Sequence, residues 1–98
     1  MSINFTKAIV SKLQRDIADI ESNIVSEKNK LKKAQAKIKQ LERDMKLSQS
    51  HNDLSSKMTR INKLTEEIKI STHSQADLNK QLASKKASLN QHQSKEPK

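Results

Sequence analysis

Residues 10–45 read VSKLQRDIADIESNIVSEKNKLKKAQAKIKQLERDM, and this stretch decides the fold. Stepping alternately by three and four through it, and back to Ile3, gives Ile3, Thr6, Val10, Leu13, Ile17, Ile20, Ile24, Glu27, Leu31, Ala34, Ile38, Leu41 and Met45. Eleven of these thirteen are apolar, where a chain that is 32% apolar would place about four by chance. Such a repeat is the a/d seam of a helix that buries one narrow stripe, with Ile3, Val10, Ile17, Ile24, Leu31, Ile38 and Met45 at a. The spacing predicts a first helix over 3–46, roughly 65 Å long at 1.5 Å per residue.

The seam stops at Lys46. The run Lys46-Leu-Ser-Gln-Ser-His-Asn-Asp53 is rich in side chains that compete for backbone hydrogen bonds, so 47–53 reads as a connection. Ser50 followed by Asp53 approximates a helix N-cap with an acid at the third position. A second helix is expected over 54–91, with its seam at Leu54, Lys57, Ile61, Leu64, Ile68, Ser71, Gln75, Leu78, Leu82, Lys85, Leu89 and His92. Seven of these twelve are apolar, and the soft centre is Ser71 to Gln75. Residues 94–98 are expected to form a disordered tail, leaving 1–93 as one helical coiled-coil domain.

Folding the chain back near residue 50 tests the two seams against each other. Met45 then faces Leu54, Ile38 faces Ile61, Leu31 faces Ile68, Ile17 faces Leu82 and Val10 faces Leu89. Glu27, a polar break inside the first seam, falls opposite Ser71, in the polar centre of the second. Leu41 opposite Lys57 and Leu13 opposite Lys85 fit less well, though long lysine stems can cover apolar surface while the amine reaches out. The expected fold is therefore all-α: an antiparallel two-helix coiled-coil hairpin, self-associating into a dimer or four-helix bundle. A parallel dimer of first helices is the rival, because β-branched a positions with Leu13 and Leu41 at d suit a two-stranded parallel coil. An unbroken helix also stays open, since no Gly or internal Pro forces a break.

Composition excludes most other classes. The 98 residues contain no Gly, Cys, Trp or Tyr, one Phe (Phe5) and one Pro (Pro97). Tight hairpins and phosphate-cradling loops lack their usual residues, which argues against many-stranded β folds and nucleotide-binding α/β folds. Without Cys there is neither a disulfide scaffold nor a cysteine-based zinc site. No apolar run exceeds Ala8-Ile9-Val10, so neither a transmembrane helix nor a signal-peptide core is expected, and the expected location is the cytoplasm.

Chemistry has little to stand on. His51, His73 and His92 are about twenty residues apart, never at the i, i+4 spacing of a helical metal site. Glu66 and Glu67 point to different sides of a helix, while Asp16 and Asp19 share a face beside Lys12 and Arg15, outside any cleft. No catalytic residue, metal, cofactor or small-molecule substrate is expected. The residues expected to matter are those of the self-association seam: Val10, Leu13, Ile17, Ile20, Ile24, Leu31, Ile38, Leu41, Ile61, Leu64, Ile68, Leu78 and Leu82.

The net charge of +9 offers the alternative function. Lys28, Lys30, Lys32, Lys33, Lys37 and Lys39 form a run with no acid between them, a candidate contact for nucleic acid or an anionic surface. Against it, these six spread around the helix, and no aromatic accompanies them for base stacking. The charge also divides nearly evenly, +5 before Ser50 and +4 after it. The solvated outside of a coiled coil accounts for these features as well.

The second half carries a resemblance. SQSHNDLSSKMTRINKL at 48–64, then Ile68 and QADLNKQLASKK at 75–86, resemble the N-terminal coiled-coil region of bacterial Toll/interleukin-1 receptor (TIR) domain proteins. In that family a Lys-rich helix and a Ser/Thr-rich break precede a second helix, whose start is here occupied by Asp53-Leu-Ser-Ser-Lys-Met58. The resemblance implies a self-association module of a bacterial defence or signalling protein, placed ahead of a TIR domain that cleaves NAD+. No TIR glutamate or nucleotide-contacting loop occurs here, so this chain is expected not to be an enzyme.

Overall fold

The structure is a computed structural model that describes the backbone of residues 2–94 and the side chains of residues 5–93. Ile3 as a seam side chain, and residues 95–98 of the expected tail, lie outside the described residues. Helix α1 spans Ser2–Leu47 and helix α2 spans His51–Ser94. They pack against each other as a helical hairpin, with no strand among the described residues. The fold is all-α. Parallel pairing of two first helices through the α1 seam would require this hairpin to open.

The connection is three residues, Ser48–Ser50, shorter than the span 47–53 that the polar run suggests. The difference has a local cause. The Ser48 amide donates to the Met45 carbonyl at 3.2 Å and closes the last turn of α1. Ser50 then caps α2: its Oγ accepts from the Asp53 amide at 3.3 Å, while the Leu54 amide donates to the Ser50 carbonyl at 3.0 Å. With Ser50 as the cap, the helix starts at His51, three residues before the apolar seam begins. Asp53 adds an acid to the first turn, where the helix dipole favours it. None of the described residues has a positive φ, so this reversal is made without a conformation that only glycine takes easily.

Residues 26–75 form one compact unit that contains the connection. Ala34 and Leu41 are buried, and Leu31, Ile38, Met45, Leu54, Ile61, Leu64 and Ile68 are half-buried. One buried polar residue interrupts this apolar series. Ser71 is 5% exposed, and its hydroxyl lies 2.9 Å from Glu27 Oε2, to which it donates, and 3.1 Å from the Glu27 carbonyl. Gln75 Nε2 donates to the same hydroxyl at 3.4 Å, and Lys30 pairs with the other Glu27 oxygen at 3.5 Å. The polar layer therefore holds a carboxylate with an ammonium on one side and a hydroxyl on the other.

The described residues of 1–25 and 76–98 form the second unit. Its core is Leu13, Ile17, Ile20 and Ile24, all 8–9% exposed, with Val10, Leu78, Leu82 and Leu89 half-buried. Lys85 reaches Asp16 at 3.3 Å and Lys86 reaches Glu21 at 3.8 Å, both from α2 to α1.

The polar layer yields a stability test. Replacing Ser71→Ala should destabilise the hairpin by about 1 kcal/mol, because Glu27 loses a partner in a partly desolvated site. Glu27→Leu combined with Ser71→Leu should instead raise the thermal midpoint, by exchanging the layer for apolar contact. Melting followed by circular dichroism checks both directions.

Candidate interaction surface

Every seam position with a described side chain is buried or half-buried, from Thr6 to Met45 on α1 and from Leu54 to His92 on α2. Among the thirteen residues expected to form the association seam, Leu13, Ile17, Ile20, Ile24 and Leu41 are buried. Val10, Leu31, Ile38, Ile61, Leu64, Ile68, Leu78 and Leu82 are half-buried. Among the described residues, the buried apolar ones all belong to α1, and Ser71 is the buried residue of α2. The two stripes thus cover α1 more completely than α2, whose seam is the poorer in apolar residues. No large side chain among the described residues is fully buried. A single helix–helix contact closes each seam residue on one side and leaves its flanks wet.

The two lysines on the seam show how a cation is accommodated there. Lys57 turns its ammonium onto Asp53, one helical turn earlier, and its side chain stays only 20% exposed. Lys85 carries its amine across to Asp16. In each case the stem covers the seam and the charge meets a carboxylate at its edge. Lys12, and after it Lys85, hold the Asp16 carboxyl below the ordinary aspartate value of 3.8 by hydrogen bonding. Lys57, and after it Ser48, do the same for Asp53.

Beside the polar layer, the 26–75 unit carries an open groove of about 370 Å³. Leu31, Ala34, Leu64 and Ile70 supply its apolar lining, and Lys33 and Lys37 line it as well. Ile70 is the residue that seam counting misses. It lies two positions past Ile68, off the stripe, and is 68% exposed. An isolated β-branched apolar residue on a polar helix face is its only sequence signal.

The six lysines from Lys28 to Lys39 are all exposed. Lys30, Lys33 and Lys37 line the groove. Lys28, Lys32 and Lys39 do not, so the run is divided between faces. His51 and His73 are exposed and His92 is half-buried. No cluster of three His, Cys, Asp or Glu suited to a metal ion occurs among the described residues, and no helix there is long and apolar enough to cross a membrane. No family model, curated protein or solved structure matches the chain.

The seam-edge carboxylates fix the sign of an acid response. Both are depressed in the folded chain, so their contribution is present above about pH 4 and is lost as pH falls through the folded values. The melting temperature should change little from pH 7 to 5 through these groups and fall below pH 4. In Asp16→Asn with Asp53→Asn that acid limb should be shallower. Identical acid limbs in a pH series of thermal melts would show that neither pair matters to folding.

Proposed function

We propose that this hairpin is a non-catalytic self-association module in which a second copy covers the flanks of the seam. The incomplete burial of that seam carries the reading: none of its large apolar side chains is fully enclosed within one chain. The groove over Leu31, Leu64 and exposed Ile70 gives a second hairpin a place to seat. Two hairpins joined there form a four-helix bundle, an arrangement that covers a helix on more than one side. Coiled-coil packing of knobs into holes would follow from the regular heptads.

The phrases at 48–64 and 75–86 support placing the module with the N-terminal regions of bacterial TIR-type proteins, where the hairpin would bring effector domains together. Oligomerisation in the cytoplasm suits that placement. The chain supplies contact area and geometry, and leaves the chemistry to whatever it gathers.

Self-association makes the melting temperature rise with protein concentration, since dissociation accompanies unfolding. Light scattering should report a dimer or larger at high micromolar concentration; a folded monomer there overturns the proposal. Two variants separate folding from assembly. Ile17→Asp with Ile20→Asp buries two charges inside the hairpin and should abolish helicity at any concentration. Ile70→Asp changes an exposed residue, and should leave the circular-dichroism spectrum intact while shifting the species toward monomer.

A further inference from the structure

Dividing the charge by compact unit gives a different picture from dividing it by helix. Residues 26–75 hold twelve Lys and Arg against six Asp and Glu, a net +6 in half the chain. Residues 1–25 with 76–98 hold eight against five. The excess is thus concentrated in the unit that contains the connection.

Within that unit the cations are ordered. Lys32, Lys39 and Lys46 recur every seven residues and occupy one heptad position on the outer side of α1. Arg43 and Lys28 flank them. The five fall within an arc of roughly 60–100°, according to how far the helix supercoils. Along the axis they extend about 27 Å from Lys28 to Lys46. All five are exposed, and none has an ion-pair partner among the described residues. Glu42 borders the stripe and is likewise unpaired.

The hairpin does not require this arrangement. Lys28 with Lys32 and Lys39 with Arg43 are like charges at i, i+4, and Arg43 with Lys46 are like charges at i, i+3. Such pairs destabilise a helix slightly, and none of these side chains is a seam residue. A local electrostatic cost with no return in packing points to an external counter-charge.

We infer that the Lys28–Lys32–Lys39–Arg43–Lys46 face of α1 docks on the phosphate backbone of a nucleic-acid duplex. The stripe matches the length of about eight base pairs, at one duplex charge per ~1.7 Å. Lysines are point charges that position a protein on phosphates without reading bases, so the contact is independent of sequence. Single strands fit less well, because base stacking needs aromatic side chains and the unit has none. A membrane surface also fits less well. The exposed large apolar neighbours of the stripe are Val25 at 58% and Leu47 at 85%, one at each end, whereas an interfacial helix presents a whole apolar face.

The test is fluorescence anisotropy of a labelled 24-base-pair DNA duplex titrated with the full chain between 25 and 200 mM salt. Engagement of all five cations gives a slope of log affinity against log salt of about −4.5. Lys32→Gln with Lys39→Gln and Arg43→Gln should flatten the slope by about 2.7 and weaken binding more than tenfold at 50 mM salt. Lys30→Gln with Lys33→Gln and Lys37→Gln removes the same charge from the groove side, and should leave the slope within about one of the parent. Circular dichroism on each variant confirms that the helices persist. Equal losses in the two triple variants would reduce the effect to net charge and overturn the assigned face. Absence of duplex binding at 25 mM salt overturns it outright. So does binding to vesicles of three parts phosphatidylcholine to one part phosphatidylserine in place of the duplex. These outcomes do not touch the self-association proposal, which rests on the seam and the groove.

Discussion

Everything in this hairpin follows from having one apolar stripe per helix and one partner to cover it. A helix in a globular core is contacted from several directions, and its large side chains disappear from solvent. Here α1 meets α2 alone. The buried apolar residues therefore stop at a few percent exposure, and the apolar seam residues of α2 remain half-wet. Because apolar burial is the main favourable term in folding, a seam covered on one side only leaves part of that term unrealised. Further association would draw on it.

The same constraint explains the seam lysines and the polar layer. Where a stripe is narrow, its edge is always near water, so a misplaced polar group needs only a short path to a partner. Lys57 and Lys85 reach Asp53 and Asp16 at that edge, with their stems lying on the seam. Glu27 and Ser71 satisfy each other, and Glu27 keeps Lys30 at its outer oxygen. A one-heptad slip would put Leu64 or Leu78 against Glu27 and lose the Ser71 hydroxyl. The layer thus contributes more to fixing which residues face each other than to net stability.

What the sequence made legible was the stripe. Every described position that the three-and-four stepping picks is buried or half-buried, and the back-folded register put Glu27 opposite Ser71, where the hydroxyl and carboxylate meet. Periodicity could do this because helical geometry turns spacing directly into facing. It was less able to set the start of α2. The apolar seam begins at Leu54, but the helix begins where Ser50 satisfies the Asp53 amide, and a cap belongs to the backbone and not to the stripe. Likewise, Lys85 with Asp16 joins residues distant in the chain, and Ile70 stands off the stripe, so neither follows from heptad positions alone.

The charge shows how the level of description changes the reading. Counted by helix, +5 against +4 looks featureless, and the six lysines between Lys28 and Lys39 appear scattered. Counted by what the fold brings together, the excess collects in residues 26–75, and a different set of five cations shares a face. Three of that set, Lys32, Lys39 and Lys46, keep the seven-residue spacing of the seam itself. A heptad that holds apolar residues inward also fixes what faces outward, so a chain built to present one apolar stripe can present a charged stripe at no further structural cost beyond the mutual repulsion of its members. Lys32, Lys39 and Lys46 stay exposed while α2 covers the seam, so the hairpin contact leaves the stripe accessible.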